Sequence, residues 1–173
     1  FSNGAAYGDL DNDGDLDLVV NNVNMEAFVY KNNAEKNKQN HFVKVKLKGD
    51  QQNKFAVGST VELFSGSEIL RQELIPSRGF QSSIDYTMTF GIGNKKIDSL
   101  QVIWPNGKTQ TIKKVTNNTT IQLNILDAKS DFVVKNKVVK PLFSETKATF
   151  LAHKENDYID FDYEGLISKM ISQ

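Results

Sequence analysis

Residues 8–20 read Gly-Asp-Leu-Asp-Asn-Asp-Gly-Asp-Leu-Asp-Leu-Val-Val, so Asp9, Asp11, Asp13, Asp15 and Asp17 occupy every second position and Gly14 follows the third of them. Five carboxylates within nine residues repel one another unless a counter-charge is supplied. A hard divalent cation, which takes six to eight oxygen ligands, is the natural one. In such a loop alternate side chains converge on the inside of a tight turn, and glycine stands where the chain reverses most sharply. Asp9, Asp11, Asp13 and Asp17 are the expected side-chain ligands, and Asp15 is expected to give its backbone carbonyl. The chain has no Cys, and neither of its two His falls in this stretch, which argues against zinc or copper. Calcium is the expected cofactor. An EF-hand would need Glu at loop position twelve, where this chain has Val20, and a helix on either side. The flanks, Gly4–Tyr7 and Leu18–Val20, instead suit strands. The bland alternative is a solvated acidic turn; it fits an isolated Asp-x-Asp better than five Asp in phase with a glycine.

A chain of 173 residues can bury a real core in one large domain or two small ones. Its composition is that of an ordinary globular protein, and no apolar run reaches the length of a membrane span or resembles a signal peptide. The start at Phe1, inside a structured pattern, points to a piece of a longer protein, so the compartment is not read from the missing signal. The zero net charge hides a partition. Residues 1–30 carry six acids and no Lys or Arg, residues 31–150 carry 19 bases against 10 acids, and residues 151–173 carry two bases against five acids.

Three segments follow from the patterning. Residues 1–33 hold the acidic loop and its strands, with Ala27–Tyr30 as a further strand, and the polar stretch 34–40 is a linker. In residues 41–125 strand follows strand. Val43, Val45 and Leu47 alternate with Lys44, Lys46 and Lys48, the period of a half-buried strand whose Lys row is a wet face or a protected edge. Further strands are expected at Thr60–Phe64, Ile69–Ile75, Tyr86–Phe90, Leu100–Trp104, Thr109–Ile112 and Thr119–Ile125, separated by turns such as Pro105-Asn106-Gly107. The expected core is Val43, Val45, Leu47, Val61, Leu63, Leu100, Val102, Trp104, Ile121 and Leu123. Residues 126–173 form a connector and an acidic tail, with a short helix possible over Tyr163–Ile171. The fold class is all-β: a partial propeller blade, an antiparallel sandwich or barrel-like domain, and a short irregular or helical tail.

The acidic loop and its flanks resemble an FG-GAP (VCBS-type) repeat, the calcium-binding blade unit of integrin-like β-propellers, over residues 1–33. The resemblance implies Asp9, Asp11, Asp13 and Asp17 as side-chain ligands and Asp15 as a carbonyl ligand. It also implies missing sister blades in the parent chain as partners, because one repeat unit cannot bury its own faces. Without them the blade is expected to dock on the middle domain or pair with another molecule. Residues 41–125 resemble the ASPIC/UnbV domain through Val45-x-Leu47-x-Gly49, Ala56-Val57-Gly58, Arg78-Gly79-Phe80-x-Ser82, Phe90-Gly91-Ile92-Gly93 and Val102-Ile103-Trp104-Pro105-Asn106-Gly107. Family members usually have Gly-Ala at Gly58-Ser59 and Gly-Leu-Gly at Gly91–Gly93, both mild departures. The order of modules is similar to the cartilage acidic protein group and its bacterial relatives. Pro141-Leu142-Phe143 and His153–Phe161 resemble the opening of a second copy of the unit, which implies a tandem parent.

These resemblances imply a non-catalytic, calcium-binding adhesion or scaffold module from a larger secreted or cell-surface protein of the bacterial envelope, engaging a protein or a glycan. No catalytic constellation is visible: His41 and His153 sit in different segments without partners, and there is no nucleophile elbow, phosphate loop or zinc-protease helix. Two alternatives belong to other classes. Nucleic-acid binding would use the basic middle segment, the Lys44/Lys46/Lys48 row and Trp104, although the acidic flanks would repel a polyanion. An accessory role in glycan processing would rest on the paired acids of the tail.

Overall fold

Alternating β-branched and polar residues, broken by glycine and asparagine turns, build almost every element of the chain. The computed structural model describes residues 1–133 and Leu142–Phe143; the expected tail helix, the tail acids and the start of a second unit lie outside the described residues. Residues 1–133 fall within a single unit.

The first sheet is antiparallel, in the order β1 (Ser2–Gly8), β2 (Asp17–Asn22), β3 (Phe28–Tyr30), with the acidic loop joining β1 to β2. Pairing sets Leu18 beside Tyr7 and Tyr30, and Val20 beside Ala5 and Phe28, so these residues share one face. Phe28 and Tyr30 meet edge to face, with ring centroids 6.0 Å apart, yet both are exposed. The segment expected to be a plain linker is partly ordered: Ala34–Lys36 form a single turn of 3-10 helix.

The rest is a two-layer sandwich. One layer is the mixed sheet of β10 (Thr119–Asn124), β4 (Phe42–Lys48) and β7 (Met88–Gly91). The other is antiparallel, in the order β11 (Ser130–Asp131), β9 (Lys108–Lys113), β8 (Ser99–Ile103), β5 (Thr60–Ser65), β6 (Glu68–Glu73). All seven strands expected between 41 and 125 are present. The sheets do not close into a barrel among the described residues. Two features depart from the sequence reading. First, β4 and β10 run parallel, with Val43 opposite Thr119 and Leu47 opposite Leu123, whereas β4 and β7 are antiparallel. A parallel pair needs a long crossover, and here four strands of the second layer, β5, β6, β8 and β9, are threaded between its two strands. Second, the domain runs past 125: β11 pairs with β9, and Ala128 joins the core, so the first residues of the expected connector belong to the sandwich.

The two layers meet across one apolar core. Val43, Val45, Val61, Leu63, Leu100 and Val102 are completely buried, Trp104 is 2% exposed, and Leu47 and Leu123 are buried beside them. Ile121 is only partly buried against this cluster. Phe90, Ile92 and Ile97 complete the core from β7 and the loop after it. The turn behind Trp104 fixes its position: Trp104 N–H donates to the Lys108 carbonyl at 2.8 Å, and its own carbonyl accepts at 3.0 Å from the N–H of Gly107, which reverses the chain at φ +77°. The lone Trp therefore reports on core packing. Truncating Leu63 to alanine is expected to cost about 2–5 kcal/mol, a buried-leucine cavity, measured by urea unfolding followed through Trp104 fluorescence. A fragment ending at 125, which lacks β11 and Ala128, is expected to unfold at lower urea than one ending at 133.

Candidate metal site between the first sheet and the sandwich

The acidic loop folds around its own backbone first. Asp17 closes it: Asp17 Oδ2 accepts from Leu10 N–H at 3.0 Å and Asp17 Oδ1 from Asn32 N–H at 2.8 Å, which ties the start of the loop and the segment after β3 to one buried carboxylate. Asp9 Oδ2 accepts from Gly14 N–H at 2.9 Å across the turn. Asp11 and Asp13 each accept, at 3.3 Å, from the N–H two residues on, the short-range pattern that lets Asp favour turns over extended chain. The Asp15 side chain caps the 3-10 turn, its Oδ2 accepting from Ala34 N–H at 2.8 Å and Glu35 N–H at 3.3 Å. Two sets of carboxylates result whose oxygens lie within 4.8 Å of one another: Asp9, Asp11 and Asp17 in one, Asp13, Asp15 and Glu35 in the other. The structure thus brings all five expected residues into one loop but divides their side chains between two clusters. With its side chain engaged by the cap, Asp15 keeps the carbonyl role expected of it open.

Two lysines enter this field: Lys31, which sequence reasoning did not single out, and Lys44, which it read only as one of a solvated Lys row. Lys31, just after β3, bonds Asp11 Oδ2 and lies 3.3 Å from Asp13 Oδ2. Its ammonium, hydrogen-bonded to Asp11 and close to the Asp13 carboxylate, is held well above the ordinary lysine value, and in return Lys31 holds Asp11 below the usual carboxylate range. Burial pushes Asp15 the other way, against the pull of the Ala34 and Glu35 amides. Lys44 reaches the loop from β4 and pairs with Asp9 Oδ2; the two side chains are 9% and 7% exposed. The Lys row is therefore not a uniform wet face. Lys44 lies buried under the loop while Lys46 and Lys48 remain exposed.

Donors remain short of acceptors. Asp9 Oδ1, Asp13 Oδ2 and Asp15 Oδ1 are buried without a hydrogen-bond partner. For Asp13 Oδ2 the 3.3 Å approach of Lys31 is a charge contact without hydrogen-bond geometry. Buried carboxylate oxygens without donors are costly, and a cation among them removes the cost. The donor set is all oxygen, as calcium or magnesium requires.

Packing against the sandwich fixes the loop's position. Gly14 sits at φ +106°, and a Cβ there would run into the Phe42 ring of β4. The Phe42 ring also lies 5.3 Å from Lys44 Nζ. Phe42 N–H donates to Asn118 Oδ1 at 3.1 Å, and the Asn118 amide lies 3.1 Å from His41 Nδ1, so His41 has a structural partner. Farther along the first sheet, the backbone of Gly4 and Ala5 lies against the Arg78–Ser82 loop. The expected docking of residues 1–33 on the middle domain is what the structure shows. Between them lies a cleft of about 630 Å³ lined by Tyr7, Asn12, Lys44, Gln72, Arg78 and Thr89, among others.

Residues 49–130 match the family model described as ASPIC and UnbV. The chain contains an ASPIC/UnbV domain. The match begins just after β4, although β4 is the central strand of the mixed sheet and carries Lys44, so the docking strand lies outside the matched segment of the ASPIC/UnbV domain. No curated protein matches the chain.

Gly14→Ala combines strained backbone with overpacking and is expected to destabilise by about 1–3 kcal/mol. Adding Phe42→Ala should recover part of that loss in a double-mutant cycle on urea midpoints, because the two positions share one contact. Lys44→Met, which leaves Asp9 buried without its cation, is expected to cost about 3–5 kcal/mol. Lys44→Met with Asp9→Leu should cost less than the single change, by the same unfolding measurement.

Proposed function

We propose that this chain is a non-catalytic, calcium-stabilised scaffold or adhesion module of a larger secreted or cell-surface protein. In this reading residues 1–33 are an FG-GAP/VCBS-type repeat that docks on the ASPIC/UnbV domain through its acidic loop. The observation that carries it is the group of carboxylate oxygens without donors, Asp9 Oδ1 above all, inside a loop whose acids otherwise organise around their own backbone. Calcium held by Asp9, Asp11, Asp13 and Asp17, with the Asp15 carbonyl and water, would supply the missing charge. A loop this polar suits the variable coordination of calcium better than the strict octahedron of magnesium. The exposed face of Tyr7, Leu18, Phe28 and Tyr30 fits a repeat that neighbouring blades of the parent protein would cover. The cleft beside the loop, which mixes polar residues such as Asn12, Gln72 and Thr89 with Tyr7, Leu16 and Ile75, suits a glycan or a protein loop as ligand.

Two of the features that nucleic-acid binding would use are withdrawn from the surface. Lys44 is withdrawn under an acidic loop, and Trp104, at 2% exposed, presents no stacking surface. No helix among the described residues is long and apolar enough to cross a membrane.

The test is thermal unfolding in chelator and in about 5 mM calcium, on the order of ten times the dissociation constant of extracellular-class sites. Mass action at that ratio adds about 1.4 kcal/mol, expected as a rise of about 3–6 °C for a chain of this size. Asp11→Ala with Asp13→Ala should abolish the rise. A wild-type melt that ignores calcium contradicts the proposal.

A further inference from the structure

The two lysines at the loop differ in what they can give up. The Lys44 side chain is enclosed, whereas that of Lys31 is 55% exposed. Resting on the calcium reading above, we propose that Lys31 is a built-in competitor for the metal, a tethered ammonium that holds Asp11 and Asp13 while the cation is absent and swings into solvent when it binds. Lys31 thereby sets the calcium concentration at which the loop fills.

The geometry gives the reasons. Lys31 spans Asp11 Oδ2 and Asp13 Oδ2, while Oδ1 of each already accepts a backbone N–H at 3.3 Å, so a divalent ion taking these two carboxylates takes the oxygens that the ammonium holds. Lys31 is delivered by a fixed backbone: the next residue, Asn32, donates its N–H to Asp17 Oδ1 at 2.8 Å and its side-chain amide to the Leu16 carbonyl at 3.2 Å. The ammonium therefore stands at high effective concentration and needs only side-chain rotation to leave. Departure returns it to water with little desolvation to reverse. Lys44 has the opposite character. Its partner Asp9, with a side chain more than nine-tenths buried, offers Oδ2 to Lys44 and Gly14 N–H and still holds Oδ1 without a donor. Asp9 can thus turn Oδ1 to a metal without releasing Lys44. Lys31 is the exchangeable cation and Lys44 the permanent one.

The experiment is calorimetric titration of calcium into the full chain as wild type, Lys31→Gln and Lys31→Arg, with melts of each in chelator and in saturating calcium. Lys31→Gln is expected to bind calcium about 2–5-fold more tightly, the range that exposed ion pairs correspond to. Its melting temperature should fall in chelator and match wild type in calcium, so that the calcium-induced rise grows. A merely structural lysine would lower both. Lys31→Arg should keep the weaker wild-type affinity. Binding by Lys31→Gln but not by wild type supports the proposal in its strongest form. Unchanged or weaker binding by Lys31→Gln, with wild type intact, overturns the proposal and leaves the calcium reading standing. No binding by either chain overturns both.

Discussion

Everything around the first thirty-five residues follows from where the charge of five aspartates goes. Backbone amides take part of it: Leu10, Asn32, Gly14, Ala34 and Glu35 all donate into the loop. Lys31 and Lys44 take another part. The amides give the loop its shape, and the Lys44 contact gives it a place on the sandwich. An exposed surface pair contributes little to stability. The enclosed Asp9–Lys44 pair is different, because breaking it leaves a charge in a poorly solvated place. The pair is thus better understood as fixing one docking arrangement than as a net source of stability.

The sandwich supports that arrangement from below. β4 is the middle strand of its sheet, held by β10 on one side and β7 on the other, and its inward residues Val43, Val45 and Leu47 are locked in the core. Because side chains alternate along a strand, fixing Val43 and Val45 inward fixes Lys44 outward, toward the loop. A one-residue slip would bury the lysines and expose the valines, so the core enforces the register on which the docking depends. Phe42, next in the outward row, meets Gly14 and explains why a residue without a side chain stands there.

Much of this was legible in the sequence. The seven strands, the loop between strands and nine of the ten expected core residues are present as read, with Ile121 only partly buried. Local period told the inner face of β4 from its outer face, because that choice is written in neighbouring residues. It could not tell what covers the outer face, so the Lys row read as solvated although one of its members is enclosed. The parallel pairing of β4 with β10 was hidden for the same reason: alternation carries no strand direction, and the two strands lie some seventy residues apart. Asp15 and the segment after Lys31 illustrate a third limit. A polar run of Asn, Lys and Gln reads as linker, and only the contact of Ala34 and Glu35 with a carboxylate nineteen and twenty residues back turns it into an ordered turn.

We propose that the acidic loop holds calcium in physical continuity with the sandwich. Amide chemical shifts during a calcium titration test it most directly. The account predicts saturable shifts at Gly14, Leu10 and Asn32, whose N–H groups bond the loop carboxylates, together with shifts at Phe42 and Lys44 across the docking contact and little change at Val61 or Val102 in the core. A titration that leaves the loop amides unmoved, or moves them while Phe42 and Lys44 stay fixed, would contradict it.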